Sequence, residues 1–227
     1  MNSMLLFHGS EQIIKEPKLI LGKENNDYGK GFYCTEQEEL AKEWACKNNK
    51  NGFVNKYEIN ITDLRILNLS DSKYNVLNWI ALLLKYRTFR LSSPIAIDSR
   101  DYLINHFSIK TKDYDIIIGY RANDSYFQYA QSFVENTLPL RGLRQALFLG
   151  QLGMQTVLVS EKAFKKLRFI SAETVDCSIY YPIFVNRDKT ARETYKNEIS
   201  KSKSYRDDIF ALDILREEMK NDDSRLQ

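Results

Sequence analysis

The sequence is poor in the residue types that build disulfide frameworks, metal sites and linkers. Its 227 residues include three cysteines, two histidines, four prolines and nine glycines. The cysteines form no CxxC pair, and so few ligands argue against a structural zinc site. Few prolines and glycines argue against long disordered linkers. We therefore expect a reduced, cytoplasmic protein that holds no metal.

Long hydrophobic runs and a strong charge of one sign are also missing. The N-terminal apolar stretch, 4–7, is too short for the core of a signal peptide, and the next candidate, 76–84, is too short to span a membrane. The net charge is +3, from 33 basic and 30 acidic residues. This balance demands neither nucleic acid nor an anionic membrane as a partner. We expect no cleaved signal and no membrane association.

The distribution of strand signals favours one α+β domain over βαβ repeats. Apolar residues make up 43% of the chain and charged residues 28%, an ordinary globular composition. Helical segments separate the strands, which predicts a mostly antiparallel or split sheet with inserted helices. The predicted strands are 4–7, 31–34, 53–61, 64–69, 115–120, 155–159 and 168–171. The predicted helices are 36–47, 76–86, 124–135, one from Pro139 to Gly150, 161–167 and 205–220.

The composition changes after residue 186, where mixed charges crowd the chain. We therefore predict a domain over 1–185 and a charged extension over 186–227. The helix at 205–220 would carry Tyr205, Ile209, Leu212 and Met219 on one side. It either packs back onto the domain or binds a protein partner, because terminal elements are often weakly held.

The N-terminal part of the chain holds the residues best suited to ligand binding. A histidine turn, HGS at 8–10, follows the first predicted strand. The glycine-rich segment DYGKGFYCT at 27–35 leads into the second strand, and Trp44 ends the next helix. An imidazole, accessible backbone amides and two aromatic faces suit a planar ligand that carries an amide and a ribose. The pattern is neither a P-loop nor a dinucleotide-binding Rossmann turn.

This ordered set of motifs resembles the ADP-ribosyltransferases of the diphtheria-toxin and poly(ADP-ribose) polymerase type. It is more closely similar to an uncharacterised bacterial family of such domains, with an HGS turn, a proline (Pro17), a D-[FY]-G-x-G-F-Y-x-T segment and a helix ending in A-x-x-W. The segments 115–124 and 155–159 also match that family, so the resemblance covers roughly residues 4 to 170. It implies the split-sheet fold of that superfamily over residues 1–185.

The resemblance also implies how NAD would be held. His8 would bond an adenosine-ribose hydroxyl, with Ser10 assisting at the ribose, and the backbone of Gly9 would bond the nicotinamide carboxamide. Tyr33 and Trp44 would cover the two faces of the nicotinamide ring. The catalytic positions implied are His8, Tyr33 and a third residue on a later strand.

The third position departs from the superfamily pattern, because Gln155 stands where those enzymes carry a glutamate that bonds the ribose 2′-hydroxyl. Glu161 is a rival carboxylate, but six strand residues span about 20 Å, too far to reach the same ribose. An acid there also suits the first turn of a helix. A glutamine can accept the hydroxyl bond but cannot serve as a base. The acceptor would then be activated by another group, such as Asp124, or need no deprotonation.

Arg121 could pair with the NAD pyrophosphate, although a surface role for this arginine and a capping role for Asp124 are equally open.

These observations predict an NAD-dependent mono-ADP-ribosyltransferase with NAD as its co-substrate. The acceptor would be a protein or a nucleic acid, and the biological role that of a bacterial toxin or defence effector. Two alternatives stay open: an NAD glycohydrolase with water as acceptor, and a non-catalytic module that binds NAD or ADP-ribose.

Overall fold

The computed structural model describes residues 2–122, 124–149, 153–201 and 205–226. The chain forms two compact units, each assembled from three segments. The first unit comprises Met1–Asn68, Lys110–Tyr120 and Leu152–Arg187. The second comprises Leu69–Ile109, Arg121–Gln151 and Asp188–Gln227.

The first unit contains the two β-sheets. A three-stranded sheet has the order β1-β3-β7, and a four-stranded sheet has the order β2-β6-β5-β4, in which only β4 and β5 run parallel. The predicted α+β class, with a divided and mostly antiparallel sheet, is therefore confirmed. The strands are β1 (Ser3–Ser10), β2 (Phe32–Cys34), β3 (Gly52–Asn60), β4 (Ile66–Asn68), β5 (Ile116–Tyr120), β6 (Met154–Leu158) and β7 (Leu167–Val175).

The two sheets share one hydrophobic core. Side chains of a strand alternate between faces, and both Leu6 and Phe7 of β1 are buried. Leu6 joins a cluster with residues of both sheets, among them Tyr57 and Phe32. Phe7 points to the opposite face, where it packs against Ala41 and other residues of another cluster. Burial on opposite faces explains why Leu6 and Phe7 are both apolar, whereas Leu5, on the same face as Phe7, is exposed.

Three helices belong wholly to the first unit or begin there: α1 (Glu38–Ala45), α6 (Glu161–Lys165) and α7 (Cys177–Lys201). Helix α1 lies directly on β1 at Gly9. A Cβ atom at Gly9 would come within 1.9 Å of the carbonyl oxygen of Ala41 and 2.6 Å of the amide nitrogen of Ala45. Glycine is therefore required at residue 9 for this close approach.

The second unit is built from helices. They are α2 (Val76–Tyr86), α3 (Pro94–Phe107), α4 (Asp124–Val134), α5 (Leu140–Leu149), α8 (Ala211–Arg216) and the part of α7 beyond residue 187. Helix α2 has the predicted bounds and is buried from Val76 to Leu84. The side chain of Asn75 caps it by accepting from the amide of Leu77 at 2.9 Å. None of the described helices combines the length and the apolar character needed to cross a membrane.

Several helix predictions near the C-terminus were wrong. The helix expected over 205–220 is confined to α8, whose capping residue, Phe210, lies five residues later than the predicted start. Helix α7 was not predicted, because Pro182 stands in its interior and proline usually ends a helix. The predicted boundary between residues 185 and 186 falls within this helix. Gly150, the predicted stop of α5, lies outside the described residues.

Candidate functional site

His8 is joined to Tyr33 where β1 and β2 separate. The two strands meet at one bridge, in which Phe7 and Thr35 exchange backbone hydrogen bonds of 2.8 and 2.9 Å. One residue further on, Nδ1 of His8 lies 2.7 Å from the carbonyl oxygen of Tyr33. A carbonyl oxygen can only accept, so Nδ1 of the neutral ring carries the proton. Nε2 is then left as a hydrogen-bond acceptor.

The surroundings of His8 favour this neutral form. Burial lowers the pKa of His8 below its usual 6.5, the hydrogen bond to Tyr33 opposes that shift, and the positive charge of Lys47 lowers the pKa further. The imidazole also packs against Phe32, with 4.4 Å between ring centroids. Near pH 7 the ring is therefore uncharged and presents an acceptor.

The backbone of Gly9 faces the gap between the separating strands. The amide and carbonyl of Phe7 point toward β2, and groups two residues apart in a strand point to the same edge. Gly9 therefore directs its own amide and carbonyl to the edge facing β2. Within the described chain, the bridge at Phe7 is the last pairing between β1 and β2, so these two groups stand next to the His8 ring without a strand partner.

The hydroxyl of Ser10 belongs to a local turn. It donates to the carbonyl of Gln12 at 2.6 Å and accepts from Nδ2 of Asn55 at 3.1 Å. Asn55 is fully buried, and its side chain also bonds the carbonyl of His8 and the amide of Ile14. Asn55 therefore fixes the segment that follows β1. The implied role of Ser10 at the ribose stays a prediction.

The side chain of Tyr33 bonds the glycine-rich segment that precedes its strand. Its hydroxyl donates to the carbonyl of Gly29 at 2.6 Å and accepts from the amide of Tyr28 at 3.1 Å. Gly29 has a φ of 75°, a left-handed conformation that glycine adopts without strain. The tyrosine ring is thus held by the loop that precedes its own strand.

Gln155 lies on β6, opposite Gly119 of β5, and is 3% exposed. Its Nε2 donates to Oδ2 of Asp27 at 2.9 Å and to the carbonyl of Tyr120 at 3.2 Å. The same carbonyl accepts from the hydroxyl of Tyr28 at 2.8 Å. The end of β5 therefore ties Gln155 to the glycine-rich segment.

These bonds bring the three predicted catalytic residues into one network. We call residues 27–29 the 27–29 loop. His8 bonds the backbone of Tyr33, Tyr33 bonds the loop, and the loop bonds Gln155 through Asp27. Residues from two sheets and one loop, up to 147 positions apart in the chain, are thus connected by hydrogen bonds. The catalytic roles of His8, Tyr33 and Gln155 stay predictions.

Trp44 stands in the last turn of α1 and is 8% exposed. That turn includes the backbone of Ala41 and Ala45, which packs on Gly9. It is anchored by Glu43, a buried carboxylate that accepts two bonds from Arg187, at 2.6 and 2.9 Å. The implied stacking of Trp44 on nicotinamide stays a prediction.

The remaining candidates have other surroundings. Glu161 begins α6, and Ser160 caps this helix by accepting from the amide of Ala163 at 3.1 Å. Glu161 is exposed, as expected of a first-turn acid. Arg121 belongs to the second unit, and the side chain of Asp124 lies outside the described residues.

Two residues of this network were missed by sequence reasoning. Asp27 is the first residue of the DYG motif, and this position in the motif was the signal that could have indicated a role in the site. Asn55 is a polar residue on a strand face that otherwise carries Phe53, Tyr57 and Ile59, which is typical of a buried side chain with several hydrogen bonds. Among the described residues, no three His, Cys, Asp or Glu side chains are grouped as a metal site requires.

Comparison with known proteins identifies a family but no function. A family model described as "Protein of unknown function (DUF3990)" matches residues 4–169. No curated protein and no solved structure matches the chain.

Proposed function

The chain belongs to the DUF3990 family, and we propose that it is an NAD-dependent mono-ADP-ribosyltransferase. In this proposal it breaks the nicotinamide glycosidic bond of NAD and passes ADP-ribose to a protein or nucleic acid, as a bacterial toxin or defence effector. The observation that carries the proposal is the network that joins His8, Tyr33 and Gln155.

The edge of β1 offers groups that complement NAD. Nε2 of His8 can accept a bond from a ribose hydroxyl. A carboxamide has one donor group and one acceptor group, and the backbone of Gly9 provides their counterparts on the edge facing β2. The positive charge of Lys47, near enough to His8 to lower its pKa, would attract the diphosphate.

The proposed reaction places positive charge on the ribose. The bond between C1′ and the pyridinium nitrogen breaks, its electron pair stays on nicotinamide, and C1′ becomes oxocarbenium-like. The acceptor then bonds C1′ and loses a proton. Oε1 of Gln155 would accept from the 2′-hydroxyl and place negative partial charge beside that centre, and the charge of Asp27 lies directly behind it. Because Gln155 cannot take up a proton, the acceptor needs another base or none.

The same feature of Gln155 favours a second candidate, a non-catalytic module that binds NAD or ADP-ribose. The amide nitrogen of Gln155 is occupied by two acceptors, and its side chain has no ionisable group. A site of this kind could hold a ribose without supplying the base that transfer requires.

The deciding experiment is incubation with NAD that carries a label on its adenylate part, in a bacterial lysate, with separate readout of protein, DNA and RNA. Labelling of a macromolecule only when the folded protein is present supports the transferase. Nicotinamide release from NAD alone supports the glycohydrolase, and NAD binding without release in either setting supports the non-catalytic module. Gln155→Ala should lose the labelling, whereas Asp115→Asn, which changes a buried carboxylate outside the network, should retain it. Labelling that is equal in the wild type and Gln155→Ala would contradict the proposal.

A further inference from the structure

Asp27 and Gln155 form a buried side-chain pair in the first unit, with Asp27 6% and Gln155 3% exposed. The amide nitrogen Nε2 of Gln155 lies within hydrogen-bond distance of Oδ2 of Asp27, at 2.9 Å, and of the carbonyl oxygen of Tyr120, at 3.2 Å. A carboxylate and a carbonyl can only accept hydrogen bonds. The amide of Gln155 must therefore turn its nitrogen, and not its oxygen, toward them.

This orientation decides what Gln155 can offer a ligand. Both protons of Nε2 are taken, so Oε1 is the polar atom of the side chain that is left. No hydrogen bond from a described residue reaches Oε1. A carbonyl oxygen accepts but does not donate. The side chain can therefore recognise only a ligand group that has a proton to give.

We propose that Asp27 is a positioning residue that holds Gln155 as a pure acceptor and thereby makes the site selective for a ligand hydroxyl. This inference rests on the proposed function, in which the hydroxyl is the 2′-hydroxyl of the nicotinamide ribose. Asp27 acts through Gln155. Its position is fixed because the next residue, Tyr28, bonds the same Tyr120 carbonyl through its hydroxyl.

An asparagine at residue 27 would weaken this orientation without changing the size of the side chain, because only the carbonyl of Tyr120 would still require a donor from Gln155. Its amide can turn either an oxygen or a nitrogen toward Gln155. The Gln155 amide could then rotate by half a turn and present its nitrogen to the ligand.

The test compares the affinity of NAD with that of an analogue whose nicotinamide-ribose 2′-hydroxyl is replaced by fluorine, which cannot donate. Calorimetry gives both dissociation constants. The wild type should bind the analogue about tenfold more weakly than NAD, the loss of one hydrogen bond. Asp27→Asn should lower that ratio, because part of the protein then presents the nitrogen of Gln155 to the ligand. Asp115→Asn is the matched control, since Asp115 is also buried but bonds Arg65 and Ser160, and it should keep the wild-type ratio.

The outcomes separate this inference from the function on which it rests. A wild type that binds NAD and discriminates against the analogue, with an unchanged ratio in Asp27→Asn, overturns the role of Asp27 alone. Equal binding of both ligands by the wild type also overturns that role and leaves NAD binding intact. A wild type that binds neither ligand overturns the proposed function together with this inference.

A second measurement applies if Asp27→Asn does not fold. The side-chain amide signals of Gln155 in the wild type, identified by their loss in Gln155→Ala, should exchange slowly with solvent before and after NAD is added. Rapid exchange of these protons in the free or bound protein would contradict the proposed orientation.

Discussion

The imidazole Nδ1 of His8 lies 2.7 Å from the carbonyl oxygen of Tyr33, so the backbone of one site residue fixes the tautomer of another. This bond exists because β1 and β2 pair at Phe7 and Thr35 and then separate. If β1 and β2 stayed paired, the amide of Gly9 would form a backbone hydrogen bond to β2 and could not bond a ligand. The separation therefore both orients the histidine and exposes the backbone beside it.

NAD affinity should depend on the protonation of His8. Burial lowers the pKa of His8 below 6.5, so the neutral acceptor form persists to lower pH than in an exposed histidine. We expect the dissociation constant to be constant from pH 8 to 6.5 and to rise only below that range. Calorimetric titrations across pH check this. His8→Gln should remove the rise, and His106→Gln, at the exposed second histidine, should preserve it.

The same pKa shift predicts how stability depends on pH. The unfolded chain binds a proton at His8 near pH 6.5, while the folded chain resists protonation to lower pH. The unfolded state therefore binds more protons in this window, and the free energy of unfolding should fall as the pH drops below 6.5. Denaturant titrations of the wild type and His8→Gln measure the difference. An equal slope with pH in both proteins would contradict a lowered pKa.

Gly9→Ala should destabilise the protein, because its Cβ would lie 1.9 Å from the carbonyl oxygen of Ala41. Overpacking of this kind costs about 1–3 kcal/mol of unfolding free energy. Gly142→Ala is a control, since the nearest atom to its Cβ is the terminal carbon of the Leu138 side chain, at 2.6 Å, which can move. It should be neutral or stabilising, because alanine favours helix α5. Equal effects of both changes would refute the close packing of α1 on Gly9.

Tyr33→Phe should loosen the 27–29 loop. The hydroxyl of Tyr33 bonds the backbone of both Gly29 and Tyr28, and the substitution removes both bonds. We expect a loss of about 1–2 kcal/mol of unfolding free energy, together with faster amide exchange in the loop. Tyr114→Phe is the control, because its hydroxyl bonds no described residue. The interpretation fails if the exchange rates of the loop do not change.

Arg187→Ala should lower the free energy of unfolding more than the loss of an exposed ion pair does. Glu43 is 2% exposed and bonds Arg187 through both oxygens, so the substitution leaves a buried carboxylate uncompensated. Such a change costs about 3–5 kcal/mol. The exposed pair of Arg168 and Glu58 is the comparison, and Arg168→Ala should have little effect. Thermal unfolding of both variants tests the difference, and equal melting temperatures would contradict it.

Strands and helices were predictable from the sequence where the pattern of apolar residues matches the burial of the element. Strands β1 and β5 and helix α2 are rich in apolar residues. The predicted bounds of these elements and of β6 agree with the structure to within a few residues. Strand β7 extends to Val175, four residues beyond the predicted 168–171. Its C-terminal half is largely exposed and has no apolar pattern, and its length follows from pairing with β3. Pairing between distant strands leaves no periodic signal in one of them alone.

The site was only partly predictable for a related reason. The spacing of motifs indicated His8, Tyr33 and Gln155, but it could not indicate that a carboxylate 128 positions away holds the amide of Gln155. Helix α3 was missed because its apolar residues do not form a clear stripe. Its four buried residues are Ala96, Ser99, Leu103 and Phe107, and only three of them are apolar. Such features depend on tertiary contacts, not on local pattern.

NAD binding by this site is tested by calorimetric titration of NAD into the wild type, His8→Ala, Tyr33→Ala and Gln155→Ala, each first shown to be folded. We expect the wild type to bind NAD and each substitution to weaken binding at least about tenfold, the loss of one good contact. NAD affinities that are the same in all four proteins, or no binding by the folded wild type, would contradict this expectation.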